Sequence, residues 1–289
     1  MKKINKALLI INYKKNIPSG FLTSLASVFH SCKTELFVYP EAVEYLITKA
    51  SDLNYRVAEN IQEIDMAIVL GGDGSILNAA MGLCSYDIPI LGINFGTLGY
   101  MAELEAADVS MVKEVLCGNY VVENRMMISP CIVHADGSKT VLPPALNDVV
   151  ISNGPIARIL NFKVSCNDVL IKKCRADGMV IATPTGSTAY SMSAGGPILA
   201  PSLNALCLTP ICPHSFSNRP IILQGGSIVK LYDIEVRENS VYVTVDGRMA
   251  KEMGKGDSLV ITRAEAETKL IRLKNNSFLS VLSSKLQDV

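Results

Sequence analysis

Apolar and polar positions repeat along this chain with two different periods, and the change falls near residue 120. Before that point, short apolar runs alternate with stretches whose apolar residues recur at helical spacing. Residues 7–12, 35–39, 66–70 and 88–94 read as strands. Residues 18–29, 41–53 and 109–116 read as helices, the second with Val43, Leu46, Ile47 and Ala50 on one face. The runs at 66–70 and 88–94 are continuously apolar, as strands buried on both faces are. This alternation predicts a parallel sheet with helices on both faces and ligands at the carboxyl ends of the strands.

From Tyr120 onward short β-rich runs dominate, at 127–133, 146–152, 162–166, 179–182, 220–223, 228–236, 241–245 and 258–262. Val241, Val243 and Val245 alternate with Tyr242, Thr244 and Asp246, the period of a half-buried strand. Turn pairs separate the runs: Asp136-Gly137, Asn153-Gly154, Gly225-Gly226 and Asp246-Gly247. The expected result is a mostly antiparallel β domain with one helical insertion near 188–194. A helical pattern returns after Thr268.

Composition narrows the function classes. Forty-nine per cent of the 289 residues are hydrophobic, enough for two modest domains with packed cores. Lys plus Arg equals Asp plus Glu at 27 each, so no basic field exists to attract nucleic acid. The apolar run after Lys2 and Lys3 is too short for a signal peptide and meets Lys14 and Lys15 at once, so it reads as a first strand. No apolar stretch approaches membrane-spanning length. A cytoplasmic protein without a membrane partner is expected. The eight cysteines form no CxxC pair and the three histidines share no ligand spacing, which argues against a structural metal site or a disulfide framework.

Two stretches carry chemistry. In the first, a buried strand climbs into Gly71-Gly72-Asp73-Gly74-Ser75, and 76–81 reads as a helix. Glycines let backbone approach an anion, and unpaired N–H groups at the helix start point at it. Asp73 does not hold the phosphate, since like charges repel. It takes a proton from a hydroxyl or holds Mg²⁺, unless the turn is simply a tight one capped by Asp. The second stretch runs from Asp177-Gly178 through Thr183-Pro184-Thr185-Gly186-Ser187-Thr188-Ala189-Tyr190 to Ser193. It is again a strand, a hydroxyl- and glycine-rich turn and a helix start; its hydroxyls cap a helix or bind the edges of a base or ribose. GxxxxGK[ST], GxGxxG and GxSxG are all absent, which removes P-loop, usual dinucleotide and hydrolase readings.

The order Gly71-Gly72-Asp73-Gly74-Ser75, Asn147-Asp148, Arg175-Ala176-Asp177-Gly178, Thr183–Tyr190, Ser193-Ala194-Gly195-Gly196-Pro197 and Asp246-Gly247 resembles that of the NAD kinases over residues 66–250. GGDG alone occurs in related form in diacylglycerol kinases and phosphofructokinases; the block from Asp177 to Pro197 is far more specific. The resemblance implies a Rossmann-like α/β N-terminal domain (1–118), a β-sandwich-like C-terminal domain (119–267), and a tail (268–289) returning to the first.

By the same resemblance, Asp73 matches the catalytic aspartate, and Gly72 and Gly74 the phosphate loop. Asn147 and Asp148 match the pair that holds the NAD ribose, with Asp148 standing where many members carry Glu. Thr188, Ala189 and Tyr190 match the segment lining the adenine pocket, with Ser193 beside it, and Thr185 of the same block is counted among the residues that bind the nucleotide. Arg175 and Asp177 fall in a dinucleotide-contacting segment whose aspartate is often supplied across a subunit boundary. Tyr100 occupies a place that is often Phe, and Asp246 is structural or supports the site. The implied reaction transfers the γ-phosphoryl of ATP, with Mg²⁺, to the 2′-hydroxyl of the adenosine ribose of NAD, in a homodimer or homotetramer. No residue is assigned as a dedicated metal ligand. The rivals are a lipid kinase, which wants a basic membrane face, and a non-catalytic dinucleotide sensor, which would not need Asp73.

Overall fold

The structure, a computed structural model, describes residues 2–287 apart from 51, 98, 155–158, 215–218, 236–240 and 274–277. Leu98 of the second glycine loop and the last residue of the expected 228–236 strand therefore lie outside the described residues. The chain forms two units, one of Met1–Asn124 with Thr268–Val289 and one of Arg125–Glu267.

The first unit alternates strand and helix. Its elements are β1 (Lys6–Ile11), α1 (Ser19–Cys32), β2 (Glu35–Val38), α2 (Val43–Lys49), β3 (Arg56–Val57), β4 (Met66–Gly71), α3 (Asp73–Leu83), β5 (Ile90–Asn94), β6 (Leu104–Glu105) and α4 (Val112–Leu116). The strands pair in parallel in the order β3-β2-β1-β4-β5, with β6 beside the end of β5. Every residue of β4 and β5 is buried, as their apolar runs require, and the polar Asn94 at the end of β5 is buried with them. Leu9, Ile11, Ile68, Leu70, Leu91 and Ile93 form one face of the core with Phe21, Leu22 and Leu25 of α1 and Val112 and Val115 of α4. A Cβ on Gly92 would stand 2.4 Å from Ile76 Cδ1, so α3 packs closely against β5 at that glycine. The order places a topological switch between β1 and β4, the crevice where parallel sheets take ligands.

Helix α2 corrects one expectation. Ile47 is not on the buried face; it is 66% exposed, while Ala42, Leu46 and Ala50 are buried. A 3-10 turn over Pro40–Ala42 precedes the helix, and Ala50 leaves helical geometry at φ −151°, ψ 60°. The packed face therefore runs 42, 46, 50, four residues apart.

The second unit is a pair of β sheets. After β7 (Val121–Val133) come β8 (Lys139–Val141), β9 (Asp148–Asn153), β10 (Leu160–Cys166), β11 (Val169–Ala176), β12 (Gly178–Ala182), α5 (Tyr190–Ser193), β13 (Ala205–Ile211), β14 (Ile221–Gln224), β15 (Val229–Glu235), β16 (Val241–Val245), β17 (Met249–Met253) and β18 (Ser258–Arg272). One sheet has the antiparallel order β14-β13-β12-β9-β16-β17. The other aligns β11, β10, β15 and the start of β18, also antiparallel. Val149, Ile151, Met179, Ile181, Val243 and Val245 interdigitate with Phe162, Val164, Leu231 and Ile261 in the core. Val150, Val180 and Ala182 point the other way, onto Leu199 and Cys207, so β9 over 149–151 and β12 over 179–182 are apolar on both faces.

The stretch after Thr268 does not begin as a helix. It continues β18 to Arg272, with Leu270 parallel to Ile90 of β5, and helix α6 (Phe278–Gln287) follows. Arg272 anchors this return: its Nε donates to Glu123 (2.7 Å) and its Nη1 to the Met101 carbonyl (2.9 Å).

Candidate active site

In the first unit the site grows out of the end of β4. Gly72 caps α3 with extended backbone (φ −123°, ψ −170°), and Asp73 is the first helical residue rather than the cap. A carboxylate there is favoured by the helix dipole. Its two oxygens are fixed from outside the helix: Oδ2 accepts from Tyr100 N–H at 2.7 Å and Oδ1 from Met101 N–H at 3.1 Å. Gly99 makes this possible, because a Cβ there would lie 1.9 Å from Asp73 Oδ1. The loop after β5 thus sets the direction of the carboxylate, and each oxygen keeps a lone pair for another donor. Gly74 lies exposed in the same turn.

Tyr100 contributes its amide to Asp73 and its ring to the tail. The ring lies 5.8 Å from that of Phe278, and Lys285 Nζ sits 4.8 Å from its centroid. Burial, and then the Asp73 charge, hold the phenol pKa above its ordinary value. On the other side of the turn, Asn12 Nδ2 donates to Ser75 Oγ (2.9 Å), tying the end of β1 to the start of α3.

In the second unit Asn147 and Asp148 stand where the chain enters β9. Asp246, in left-handed backbone (φ +49°), gathers them: its carboxylate accepts from the N–H groups of Leu146 (3.0 Å), Asn147 (2.8 Å) and Asp148 (3.0 Å). Its own N–H donates to the Asp148 carbonyl at 2.9 Å. Asp246 is thus the supporting residue of the pair. Asp148 is only 5% exposed, and burial, then the Asp246 charge, push its pKa up to about 7. Burial also raises Asp246, but three backbone amides oppose it. Those amides favour the charged form of Asp246, whereas burial and the neighbouring charge favour the protonated form of Asp148.

The hydroxyl-rich turn packs directly on this pair. Thr183 N–H donates to the Asn147 carbonyl (2.9 Å) and Thr183 Oγ1 to that of Leu146 (2.5 Å). A Cβ on Gly186 would lie 2.1 Å from Asn147 O, so only glycine allows the approach. Ser187, fully buried, donates to the Pro184 carbonyl and accepts from Leu199 N–H, a structural role. Thr188 Oγ1 closes back on the Thr185 carbonyl at 3.2 Å. Beyond it Ala189 is half-buried, and Tyr190 and Ser193 are exposed.

Arg125 had no signal in the sequence. It is 3% exposed, and its Nη1 donates to Thr185 Oγ1 at 3.2 Å, which brings a buried cation to the turn.

Arg175 and Asp177 are not brought to this group. They flank the corner from β11 into β12, where Gly178 is needed because a Cβ would meet Ile151 O at 2.2 Å. Asp148 pairs with Ala182 at the far end of β12. Five residues of strand separate Asp177 from that end, about 16 Å. His214 N–H donates to the Arg175 carbonyl, and its side chain is exposed.

Comparison with known proteins identifies the family. Residues 27–119 match the family described as ATP-NAD kinase N-terminal domain, and residues 146–273 the ATP-NAD kinase C-terminal domain. An NAD kinase of Natranaerobius thermophilus is 34% identical over 279 residues, 96% of this chain and 96% of the relative. One of Geobacter sulfurreducens is 41% identical over 224 residues, 77% and 78% of the two chains. Among solved structures, yeast NADH kinase complexed with NADH superimposes with a TM-score of 0.85 at 22% identity, covering 99% of this chain and 88% of that one. An Archaeoglobus fulgidus NAD kinase in complex with ATP gives 0.74 at 23% identity, covering 98% and 99%. The likeness to these two solved structures is one of fold, whereas the curated relatives' identity extends over most of the chain: it belongs to the NAD kinase family.

Proposed function

We propose that this protein transfers the γ-phosphoryl of ATP to the 2′-hydroxyl of the adenosine ribose of NAD, yielding NADP and ADP. The observation that carries the reading is Asp73, held by two backbone amides at the head of α3 in a glycine turn. The 2′-oxygen forms the new bond to the γ-phosphorus as the bond from that phosphorus to the β–γ bridging oxygen breaks, and the hydroxyl proton passes to Asp73. Phosphoryl transfer needs little covalent help; positioning and charge neutralisation dominate. A positioned base contributes about 10²–10⁴-fold.

Asn147 and Asp148 hold the NAD ribose, Asp148 presenting either a hydroxyl proton or an acceptor according to pH. Gly72 and Gly74 admit the phosphates, while Thr185, Thr188, Ala189, Tyr190 and Ser193 receive the adenosine. The donor's Mg²⁺ draws charge off the phosphates. Among the described residues no group of three or more His, Cys, Asp and Glu could cage a metal ion. A hard oxygen such as that of Asp73 fits an ion that keeps most of its ligands from phosphate and water.

Arg175 and Asp177, remote from the pair in their own chain, serve a neighbouring subunit in a homodimer or homotetramer. No helix among the described residues is long and apolar enough to cross a membrane. The expected setting is the cytoplasm.

The reading is tested by offering [γ-³²P]ATP with NAD, diacylglycerol or fructose 6-phosphate as acceptor. Label should enter NAD alone. Labelled lipid with unlabelled NAD would refute it.

A further inference from the structure

The carboxyl ends of three adjacent strands set Asn12, Gly71 and Asn94 in a row across β1, β4 and β5. Asn94 stands out in this row. It is 4% exposed, its Nδ2 donates to the Gly96 carbonyl at 2.8 Å, and its Oδ1 has no hydrogen-bond partner. A buried acceptor left unpaired is unfavourable, because it has given up its hydrogen bond to water without gaining another. That oxygen faces the cap of α3, 3.7 Å from where a Cβ on Gly72 would be. Gly72 does not need glycine for its backbone angles, so what it provides is open space in front of Asn94.

Lys15 reaches the same place from the other side. Its Nζ lies 2.9 Å from the Cβ position of Gly96, so its arm runs from the end of β1 to the loop after β5. Lys15 is half-buried, and no carboxylate among the described residues pairs with it. The start of α3, an ammonium group without a counter-ion and an orphan carbonyl-type oxygen thus converge on one mouth. The first two demand an anion. The third repels an anion's oxygen and demands a donor or a cation. A bare phosphate satisfies only part of the set, whereas a polyphosphate carrying a hydrated divalent cation satisfies all of it.

We propose that Lys15 and Asn94 select the metal-complexed form of the phosphate donor: Lys15 binds its terminal phosphates, and Asn94 Oδ1 accepts from a water on its divalent cation. This rests on the phosphotransfer reading above.

Calorimetric titration of the full-length protein with ATP, with and without excess Mg²⁺, tests it alongside NAD titration. Lys15→Met should weaken both forms of ATP at least tenfold and leave NAD affinity within twofold. Asn94→Leu should instead shrink the preference for the magnesium form over metal-free ATP. Asn94→Asp keeps the oxygen but loses the bond to Gly96, so it should preserve or increase that preference. If it behaves as Asn94→Leu does, the side chain only anchors the loop and the proposal fails. It also fails if Lys15→Met binds magnesium-ATP like the parent. Should Asn94→Leu not fold, the Lys15→Met and Asn94→Asp titrations decide. A parent that binds neither form of ATP and makes no NADP would refute the phosphotransfer reading itself.

Discussion

Replacing Asp246 by Asn removes one oxygen and one charge from the turn that holds Asn147 and Asp148. The amide oxygen can take the Oδ1 position and keep the N–H groups of Asn147 and Asp148, at 2.8 and 3.0 Å. The new NH₂ then faces the buried N–H of Leu146, which now donates to Oδ2 at 3.0 Å. Losing a bond to a charged acceptor and stranding a buried donor costs about 2–4 kcal/mol. The second consequence falls on Asp148, whose pKa of about 7 loses its smaller cause, the Asp246 charge, and keeps its larger one, burial. In the parent, Asp148 holds its proton in the folded state up to about pH 7, while the unfolded chain releases it near pH 4. Stability conferred by that proton is full below pH 4 and lost as pH rises towards 7, about 4 kcal/mol in all. A lower folded pKa in Asp246→Asn shortens this decline. Its cost should therefore be greatest near pH 5 and shrink towards pH 8, by about 1.4 kcal/mol for each unit the pKa falls. Urea denaturation of both proteins from pH 5 to pH 8 measures this. A cost that is absent, or constant with pH, would refute the coupling.

Gly99→Ala places a methyl 1.9 Å from Asp73 Oδ1 and should expel the carboxylate from its two amides; steady-state kinetics should show turnover falling about 10²–10⁴-fold, as if the base were lost. Gly186→Ala drives a methyl into the Asn147 carbonyl, backbone that cannot step aside, and should cost about 2–4 kcal/mol in denaturation and weaken NAD in titrations; unchanged NAD affinity would separate that turn from the site. Asp148→Asn imitates the protonated acid, so the inflection near pH 7 expected in the parent's NAD affinity should vanish. Ile47→Lys, on the exposed face of α2, should move stability by no more than about 0.5 kcal/mol, read from thermal melts.

The parts of this molecule legible in the sequence are those whose partners are close in the chain or whose pattern repeats. β4, β5 and the turn at Gly71–Gly74 announce themselves because both faces of a central parallel strand are buried. β11 does not, because Lys172, Lys173 and Arg175 give an edge strand a solvated look. β13 is interrupted by Pro210, and the run from Thr268 to Arg272 is too polar in its first half to read as the end of β18. Ile47 misled because a 3-10 turn over Pro40–Ala42 precedes α2 and the packed face runs through Ala42, Leu46 and Ala50. Within the site, Asp246 looked like half of a turn pair; its three amide partners lie 98 to 100 residues away. Arg125 sits alone between Asn124 and Met126, and nothing local marks it as buried. The amides that aim Asp73 come from backbone, which has no residue code to read.

The most direct test of the account is a coupled assay on the purified protein with ATP, Mg²⁺ and NAD, using a dehydrogenase that accepts only the 2′-phosphorylated dinucleotide. Reduced NADP should accumulate with the parent and fall by about 10²–10⁴-fold with Asp73→Asn, which retains NAD binding. No NADP from the parent, or undiminished turnover in Asp73→Asn, would contradict it.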